Sequence, residues 1–430
     1  MSSYFITTLG CPKNTADSRE MERSLQKEGF APAVSADKAE LHLINSCAFI
    51  EEARLETIRT VLDAAQLKGK KQKLILVGCF SERYAADVSR DLPEVDFSFG
   101  TGRYAEAGRL LREKFGAPRA STAVSVAGLS IERSGLAYAP VKISDGCDRT
   151  CAFCAIPQFR GGFRSTPLDD VLAEARDLVS RGVREICLVS QDSNAYGGKP
   201  ESYVDLLERL HELEDLTWIR MLYMYPDKKT EKILRAIAAR KLPKLVPYLE
   251  SPVQHGSSRI LKAMRRAGDP VFFADLFALA REAMPGAEVR TSILLGFPGE
   301  TEEDIQEVIQ FLDRARPEKL ALFAYSPEEG TAGASMPDLV DPAETADRIN
   351  RVREHHRQQM SAFAADLVGQ SFLCMVDEAE DGELVVRRPQ DAPEVDGVVY
   401  VENSRLIRPG ELVNVEITGF TDFDLTGMLI

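Results

Sequence analysis

The chain has 430 residues, 44% of them hydrophobic and 28% charged, and a formal net charge of −14. Those proportions belong to an ordinary globular protein of several domains, and no apolar run approaches the about eighteen residues of a membrane span. A charge so far below zero argues against a general nucleic-acid binder, which has to neutralise phosphate with lysine and arginine. The opening residues lack the basic region and cleavage site of a signal peptide. The eight cysteines are therefore expected in a reducing cytoplasm, where thiols bind metal or fill cores. The charge is uneven: residues 1–117 are neutral, with 17 basic and 17 acidic side chains, whereas residues 366–430 carry 4 and 14.

Residues 1–117 read as three strand-then-helix units. A strand over residues 4–9 precedes Gly10-Cys11-Pro12-Lys13-Asn14 and a helix over about 17–28, closed by Gly29. A second strand over 41–44 precedes Asn45-Ser46-Cys47 and a helix over 51–68. A third over 73–77 precedes Gly78-Cys79 and a helix from about residue 81. Such alternation predicts an open parallel α/β sheet. Cys11, Cys47 and Cys79 then each follow the carboxyl end of a strand, the edge where such sheets bind ligands. Three thiolates gathered there could hold three irons of a cubane cluster and leave the fourth open. Taken one at a time, each could equally be an ordinary buried thiol.

Residues 118–138, rich in Ser, Thr and Ala, read as a linker. From there to about residue 365, strands and helices alternate six times. The strands are predicted over residues 141–144, 185–190, 218–222, 245–249, 288–295 and 319–323. Six units are too few for a closed eight-stranded barrel, so a partial (βα)6 barrel is expected, with its chemistry at the carboxyl ends of the strands. After the first strand comes Gly146-Cys147-Asp148-Arg149-Thr150-Cys151-Ala152-Phe153-Cys154, a C-x3-C-x2-C spacing. Three thiolates here could again hold a cluster with one open iron. On spacing alone zinc stays possible, although no fourth ligand follows at zinc-finger distance. Gly146 would let the backbone turn around so bulky a guest. Polar groups stand at other strand ends: Gln191 after the second, Glu250, Gln254 and His255 after the fourth, and Gly296 and Glu300 after the fifth. Thr301 to Asp304 has the pattern of a capping box. Cys187, Cys374 and Trp218 read as core residues, and His355 and His356 have no partner at ligand spacing.

The C-x3-C-x-aromatic-C form, Phe153 included, closely resembles the signature of radical S-adenosylmethionine (SAM) enzymes. Leu9-Gly10-Cys11-Pro12-Lys13-Asn14, Asn45-Ser46-Cys47 and Gly78-Cys79 resemble the cysteine signatures of the methylthiotransferase family within them. The resemblance implies two [4Fe-4S] clusters, with Cys147, Cys151 and Cys154 holding the catalytic one and Cys11, Cys47 and Cys79 the auxiliary one. It implies SAM as co-substrate, cleaved to a 5′-deoxyadenosyl radical that takes a hydrogen from the substrate, with a second SAM supplying the methyl group. By position, Phe153, Gln191, Gln254 and Gly296 resemble the segments that contact SAM. Arg160-Gly161 and Arg164-Ser165 resemble the family's R-G-x-x-R-S stretch, with Thr166 where an arginine is common.

Residues 366–430 alternate in five short runs, which predicts a small five-stranded β-barrel. In place it resembles the TRAM domain, an RNA binder in relatives that modify transfer RNA. Its net −10 is the wrong sign for RNA and the right sign for a basic protein. Asp377, Glu378, Glu380, Asp381 and Glu383 cluster at one turn and Asp391, Glu394 and Asp396 follow; most are expected to be solvated and to face that partner. Of the two family branches, the MiaB type modifies an adenosine of transfer RNA and the RimO type an aspartate of a small-subunit ribosomal protein. The Leu-Gly-Cys-Pro-Lys-Asn opening and the acidic tail favour the RimO type, and with it β-methylthiolation of the twelfth small-subunit protein. The implied partners are that basic ribosomal protein and an electron donor such as flavodoxin or ferredoxin. A reading from another class is a non-catalytic metal-binding adaptor that recruits a basic protein to the ribosome.

Overall fold

The computed structural model describes residues 3–116, 137–380, 382–403, 406–421 and 423–430. Most of the expected linker, residues 117–136, lies outside them. The described chain divides into two compact units. One takes residues up to 116 together with Asp145–Asp148 and Ala155–Arg164; the other takes residues 137–144, Arg149–Cys154 and Ser165–Ile430.

The first unit is a parallel sheet of five strands: β1 (Ser3–Thr8), β2 (Ala31–Pro32), β3 (Leu41–Ser46), β4 (Lys73–Gly78) and β5 (Phe97–Phe99), in the order 2-1-3-4-5. The short outer strands β2 and β5 carry no period-2 signal long enough to read in sequence. Both faces are covered, as parallel sheets require. Leu41, Leu43, Ile75 and Val77 pack on one side with Met21 and Leu25, while Ile44, Leu74 and Leu76 pack on the other with Val61 and Phe80. The first helix, Pro12–Lys27, begins five residues before the expected position 17. Proline at its first turn has the right φ and no amide to lose. The expected helix from residue 81 starts at Cys79 and stops at Arg83, and a second short helix, Ala85–Asp91, follows.

In the second unit, Tyr138–Lys142, Glu185–Val189 and Trp218–Met221 form one parallel sheet and Tyr248–Glu250, Glu288–Leu295 and Lys319–Ala324 another. An isolated bridge, Ile219 to Leu245, joins them. The six strands follow one another in chain order, the arrangement of the expected (βα)6 partial barrel. The helix after the fifth strand starts at Thr301 with a capping box to Asp304, as its sequence predicts. A 26-residue helix, Pro342–Leu367, leads to a closed barrel of five strands: Ser371–Glu380, Glu383–Arg387, Val399–Glu402, Leu412–Phe420 and Leu425–Leu429. Alternate residues fill it, Cys374, Val376, Leu384, Val386, Val399, Val401, Val415 and Ile417 among them. Cys187 and Trp218 pack in the core of the partial barrel. His355 bonds to Asp313 and His356 to the carbonyl of Pro317.

The acidic residues of the tail correct one expectation. Asp377 pairs with Arg387, Asp391 with Arg388 and Lys319, and Asp396 with Arg290, while Glu394 accepts a bond from the Tyr138 hydroxyl. Through Lys319, Arg290 and Tyr138, the carboxylates of Asp391, Asp396 and Glu394 tie the small barrel to the partial barrel, and Asp377 pairs within the small barrel. Glu378, Glu380, Glu383 and Glu394 are exposed, and Asp381 lies outside the described residues. A count of charge cannot separate a carboxylate facing water from one facing an arginine of the same chain.

Candidate active site

The three N-terminal cysteines meet because the strands before them end level. Thr8 stands opposite Asn45, and Ser46 opposite Gly78. Strand order reverses between β1 and β3, and in open α/β sheets the crevice at that reversal takes the ligand. Cys11 caps the first helix, Cys47 follows β3, and Cys79 opens the helix after β4. Gly10, at φ +92°, lies so near Cys47 that a side chain there would put its Cβ 2.8 Å from the Cys47 Cβ. Gly78, at φ +93°, has no room either: its Cβ would stand 2.5 Å from Asn45 Oδ1.

Asn14 knits the loops together. Its amide donates to the carbonyls of Leu9 and Ser46, at 2.9 and 3.1 Å, and its Oδ1 lies 3.6 Å from Cys11 Sγ. Burial pushes the Cys79 thiol up to about 12, against the pull of the nearby Arg160 guanidinium. Burial likewise raises the Cys47 thiol. All three are free thiols, and thiols of this kind bind a metal by giving up their protons to it.

In the second set, Cys147 is fixed by its amide, which donates to the Gly161 carbonyl at 3.1 Å. The preceding Gly146, at φ +76°, packs against that strand of backbone, and a Cβ would meet the Gly162 oxygen at 2.2 Å. This is the tight turn its place in the sequence implied. The rest of the loop is pinned within the second unit. Arg149 bonds to Asp192 at 2.6 Å and Asp227 at 2.9 Å, and stacks 3.7 Å above the Tyr225 ring. Arg266 also lies near Tyr225, 4.1 Å from the ring centre, with Nη1 3.7 Å from Cys151 Sγ. The Ala152 amide donates to Met264 and its carbonyl accepts from Gly333.

A structural zinc site ordinarily takes four Cys or His ligands, and each motif here supplies three cysteines. Two sets of three cysteines outside any disulfide, with no fourth Cys or His in either motif, fit iron–sulfur clusters.

Of the residues expected to contact SAM, Gln191 fits best. It follows the second strand, and both its amide atoms are buried without a hydrogen-bond partner among the described residues. A buried polar group left so costs free energy unless a ligand pairs it. Phe153 packs half-buried with Leu294, Phe297 and Tyr325, near the end of the fifth strand. Gln254 sits at φ +78° and spends its backbone amide and carbonyl on Ser292 and Leu294, at 2.8 Å each. Gly296, which follows the fifth strand, sits at φ +81°. A side chain there would strike Thr345 Oγ1 at 2.4 Å, and its amide donates to Glu300. Glycine is needed for a helix to pack closely, as well as for the turn. Glu300 also takes bonds from Arg348 and His255. Because His255 Nδ1 accepts from the Ser257 amide, the proton that reaches Glu300 is on Nε2. Arg149, Arg266 and Asp227 were not legible as site residues, since no spacing rule links a loop arginine to carboxylates 43 and 78 positions away.

Three family models match in turn: Uncharacterized protein family UPF0004 over residues 3–100, the Radical SAM superfamily over 141–312 and the TRAM domain over 368–430. The ribosomal protein uS12 methylthiotransferase RimO of Leptospira biflexa is 47% identical over 434 residues, covering 99% of this chain and 96% of that protein. The chain belongs to the RimO family of radical SAM methylthiotransferases. RimO of Geobacter sulfurreducens is 38% identical, covering 99% of this chain and 98% of that protein. The solved structure of the radical SAM methyltransferase TsrM from Kitasatospora setae, with tryptophan and a SAM analogue bound, matches with a TM-score of 0.59 at 12% identity. It covers 84% of this chain and 89% of that one, a likeness of fold. The family, its RimO branch, the three-part fold and the cofactors of the RimO family, SAM and [4Fe-4S] clusters, all agree with what the sequence led us to expect. The MiaB and adaptor readings give way. No helix among the described residues is long and apolar enough to cross a membrane.

Proposed function

We propose that this chain catalyses β-methylthiolation of an aspartate of ribosomal protein uS12 in the cytoplasm. The observation that carries the reading is the 47% identity, across 99% of the chain, with a protein named for that activity. In this reading Cys147, Cys151 and Cys154 would hold the cluster that serves SAM, and Cys11, Cys47 and Cys79 would hold the auxiliary cluster. The working division is residues 1–117 for the auxiliary cluster, 139–365 for SAM and 366–430 for the substrate protein. When bound, the cluster and SAM supply the one-electron chemistry that removes hydrogen from a saturated carbon, for which no side chain suffices.

The chain's own groups position and protect. Arg149, held by Asp192 and Asp227, keeps the cysteine loop in one conformation, and precise placement of the reacting groups is a large part of such a catalyst's work. Gln191 offers an unpaired amide to SAM, and Phe153 an apolar wall. The electron comes from a small donor protein such as flavodoxin or ferredoxin.

The test is mass spectrometry of uS12 with and without this enzyme, with transfer RNA analysed in parallel. One added methylthio group on a uS12 aspartate, dependent on the enzyme, is expected. An unmodified uS12 alongside a methylthiolated adenosine would overturn the reading.

A further inference from the structure

The side chain of Arg160, six residues past Cys154, is used by neither cysteine motif and has no role in the reading above. Its guanidinium is 2% exposed and makes four contacts within the first unit. Nη2 lies 3.2 Å from Cys79 Sγ and 3.2 Å from Asn14 Oδ1. Nη1 pairs with Asp17 at 2.8 Å and lies 3.4 Å from Asp145. Asp17 is itself fully buried, on the helix that Cys11 caps. A buried arginine costs free energy unless paired, and Asp17 is enough to pair it. The second face of the guanidinium is nonetheless spent on a sulfur. Through Asn14, which also lies near Cys11 and bonds the carbonyl before Cys47, Arg160 connects to all three cysteine loops.

Hydrogen bonds to ligand sulfurs, nearby charge and exclusion of water set the potential of an iron–sulfur cluster. A cation against a ligand sulfur in a dry site favours the state with one more electron, since screening there is weak. We propose that Arg160 is a positioning residue for the N-terminal cluster, donating a charge-assisted N–H···S bond to the Cys79 thiolate and raising the cluster's reduction potential. Asp17, its anionic partner, holds the guanidinium in place and lowers that potential in turn. The inference rests on the reading that Cys11, Cys47 and Cys79 hold a cluster.

The test is potentiometric titration, followed by electron paramagnetic resonance, of the full chain with Cys147, Cys151 and Cys154 replaced by Ala and reconstituted with iron and sulfide. In that background Arg160→Met is expected to move the midpoint to more negative potential. Arg160→Lys keeps the charge but cannot reach all four partners, and should shift it less. Asp17→Asn, close to isosteric, should move it the opposite way. A purely structural pair would move the potential with neither sign, and the last two variants decide the matter if Arg160→Met does not fold. Full iron occupancy with one potential across all three variants would overturn the proposal. Failure of the parent to take up any cluster would overturn the cluster reading itself, and this inference with it.

Discussion

Arg388, in the small C-terminal barrel, holds Glu288, the first residue of the fifth strand of the partial barrel, through bonds of 2.8 and 3.1 Å. Lys319 opens the sixth strand and pairs with Glu288 at 2.5 Å and Asp391 at 3.1 Å, and Asp391 returns to Arg388 at 2.8 Å. Two cations and two anions thus close a buried square. It lies where strands begin, the end of such a barrel that serves stability, and the cysteine loop follows the end where a strand stops.

Removing one corner strands buried charge. Breaking a buried pair on one side costs about 3–5 kcal/mol, and the corner left by Arg388 is partly covered by Lys319. Arg388→Met is therefore expected to lose about 3 kcal/mol of stability in denaturant unfolding of the full chain. Arg388→Met with Asp391→Leu should lose less than the sum of the two single changes, because the partners act together. A loss near zero for Arg388→Met would show that the square holds nothing.

Buried ion pairs of the second unit also set an acid limit. Burial works to raise the Asp391 and Glu185 carboxyls, but Arg388 with Lys319, and Arg220 with Arg387, more than reverse this and hold both below the usual range. A depressed carboxyl contributes stability that is complete above its unfolded value, about 4, and is lost as pH falls through the folded one. Stability from these two should be flat above about pH 5 and fall steeply below about pH 4. Asp377 has the opposite sign: burial raises it despite Arg387, so its share is lost as pH rises. Asp391→Asn should then flatten the acid limb of a stability profile and cost more at pH 7 than Asp377→Asn does.

Much of the fold was legible because its signals are local. Three helices after three short apolar runs, the first closed by Gly29, sufficed for the first sheet, and the period-2 runs sufficed for the last barrel. What the sequence hid is what depends on distant partners. Phe97–Phe99 becomes a strand only because Ile75, Leu76 and Val77 offer an edge. Gly296 is a glycine because of Thr345, which is 49 positions on. The six cysteines announce themselves by spacing and by their place after strands. Arg160 and Arg266, which touch two of their sulfurs, do not, since a buried arginine looks in sequence like any surface one.

Gln191 offers a direct check on the SAM site. Its amide atoms are buried and unpaired among the described residues, so a ligand that satisfies them gains a bond and relieves a desolvation cost. One such bond is worth about 0.5–1.5 kcal/mol net, or roughly three- to tenfold in affinity. Gln191→Ala should weaken SAM binding to the cluster-loaded protein by that factor in equilibrium dialysis. Unchanged affinity would remove Gln191 from the site.

The two cysteine sets should separate by chemistry. With Cys147, Cys151 and Cys154 replaced by Ala, one cluster should remain after anaerobic reconstitution and SAM cleavage should vanish. With Cys11, Cys47 and Cys79 replaced, one cluster should again remain, SAM cleavage should continue, and methylthio transfer to uS12 should be lost. Iron analysis together with 5′-deoxyadenosine release reads both. Tightly bound zinc in protein isolated without air, with no cluster obtainable, would sink the assignment of either set.

Substrate docking is the last point that the pairing of the tail changes. Asp377, Asp391 and Asp396 are spent on Arg387, Arg388 and Arg290, and charge reversal there would unseat the barrel rather than repel a partner. Glu378, Glu380 and Glu383, around the hairpin between the first two strands of the barrel, are exposed and remain available. Exposed ion pairs contribute about 0.2–1 kcal/mol each, so three could change affinity by roughly half a decade to two decades. Their larger effect should be on the rate at which a basic protein is captured, through long-range steering. Lys at all three positions is expected to slow modification of uS12 and leave SAM cleavage and thermal stability as they are. The wild-type reaction should also slow as salt rises beyond physiological strength, where the Debye length falls below about 8 Å. Modification at the wild-type rate by the reversed variant, at low salt, would place the docking surface elsewhere on the chain.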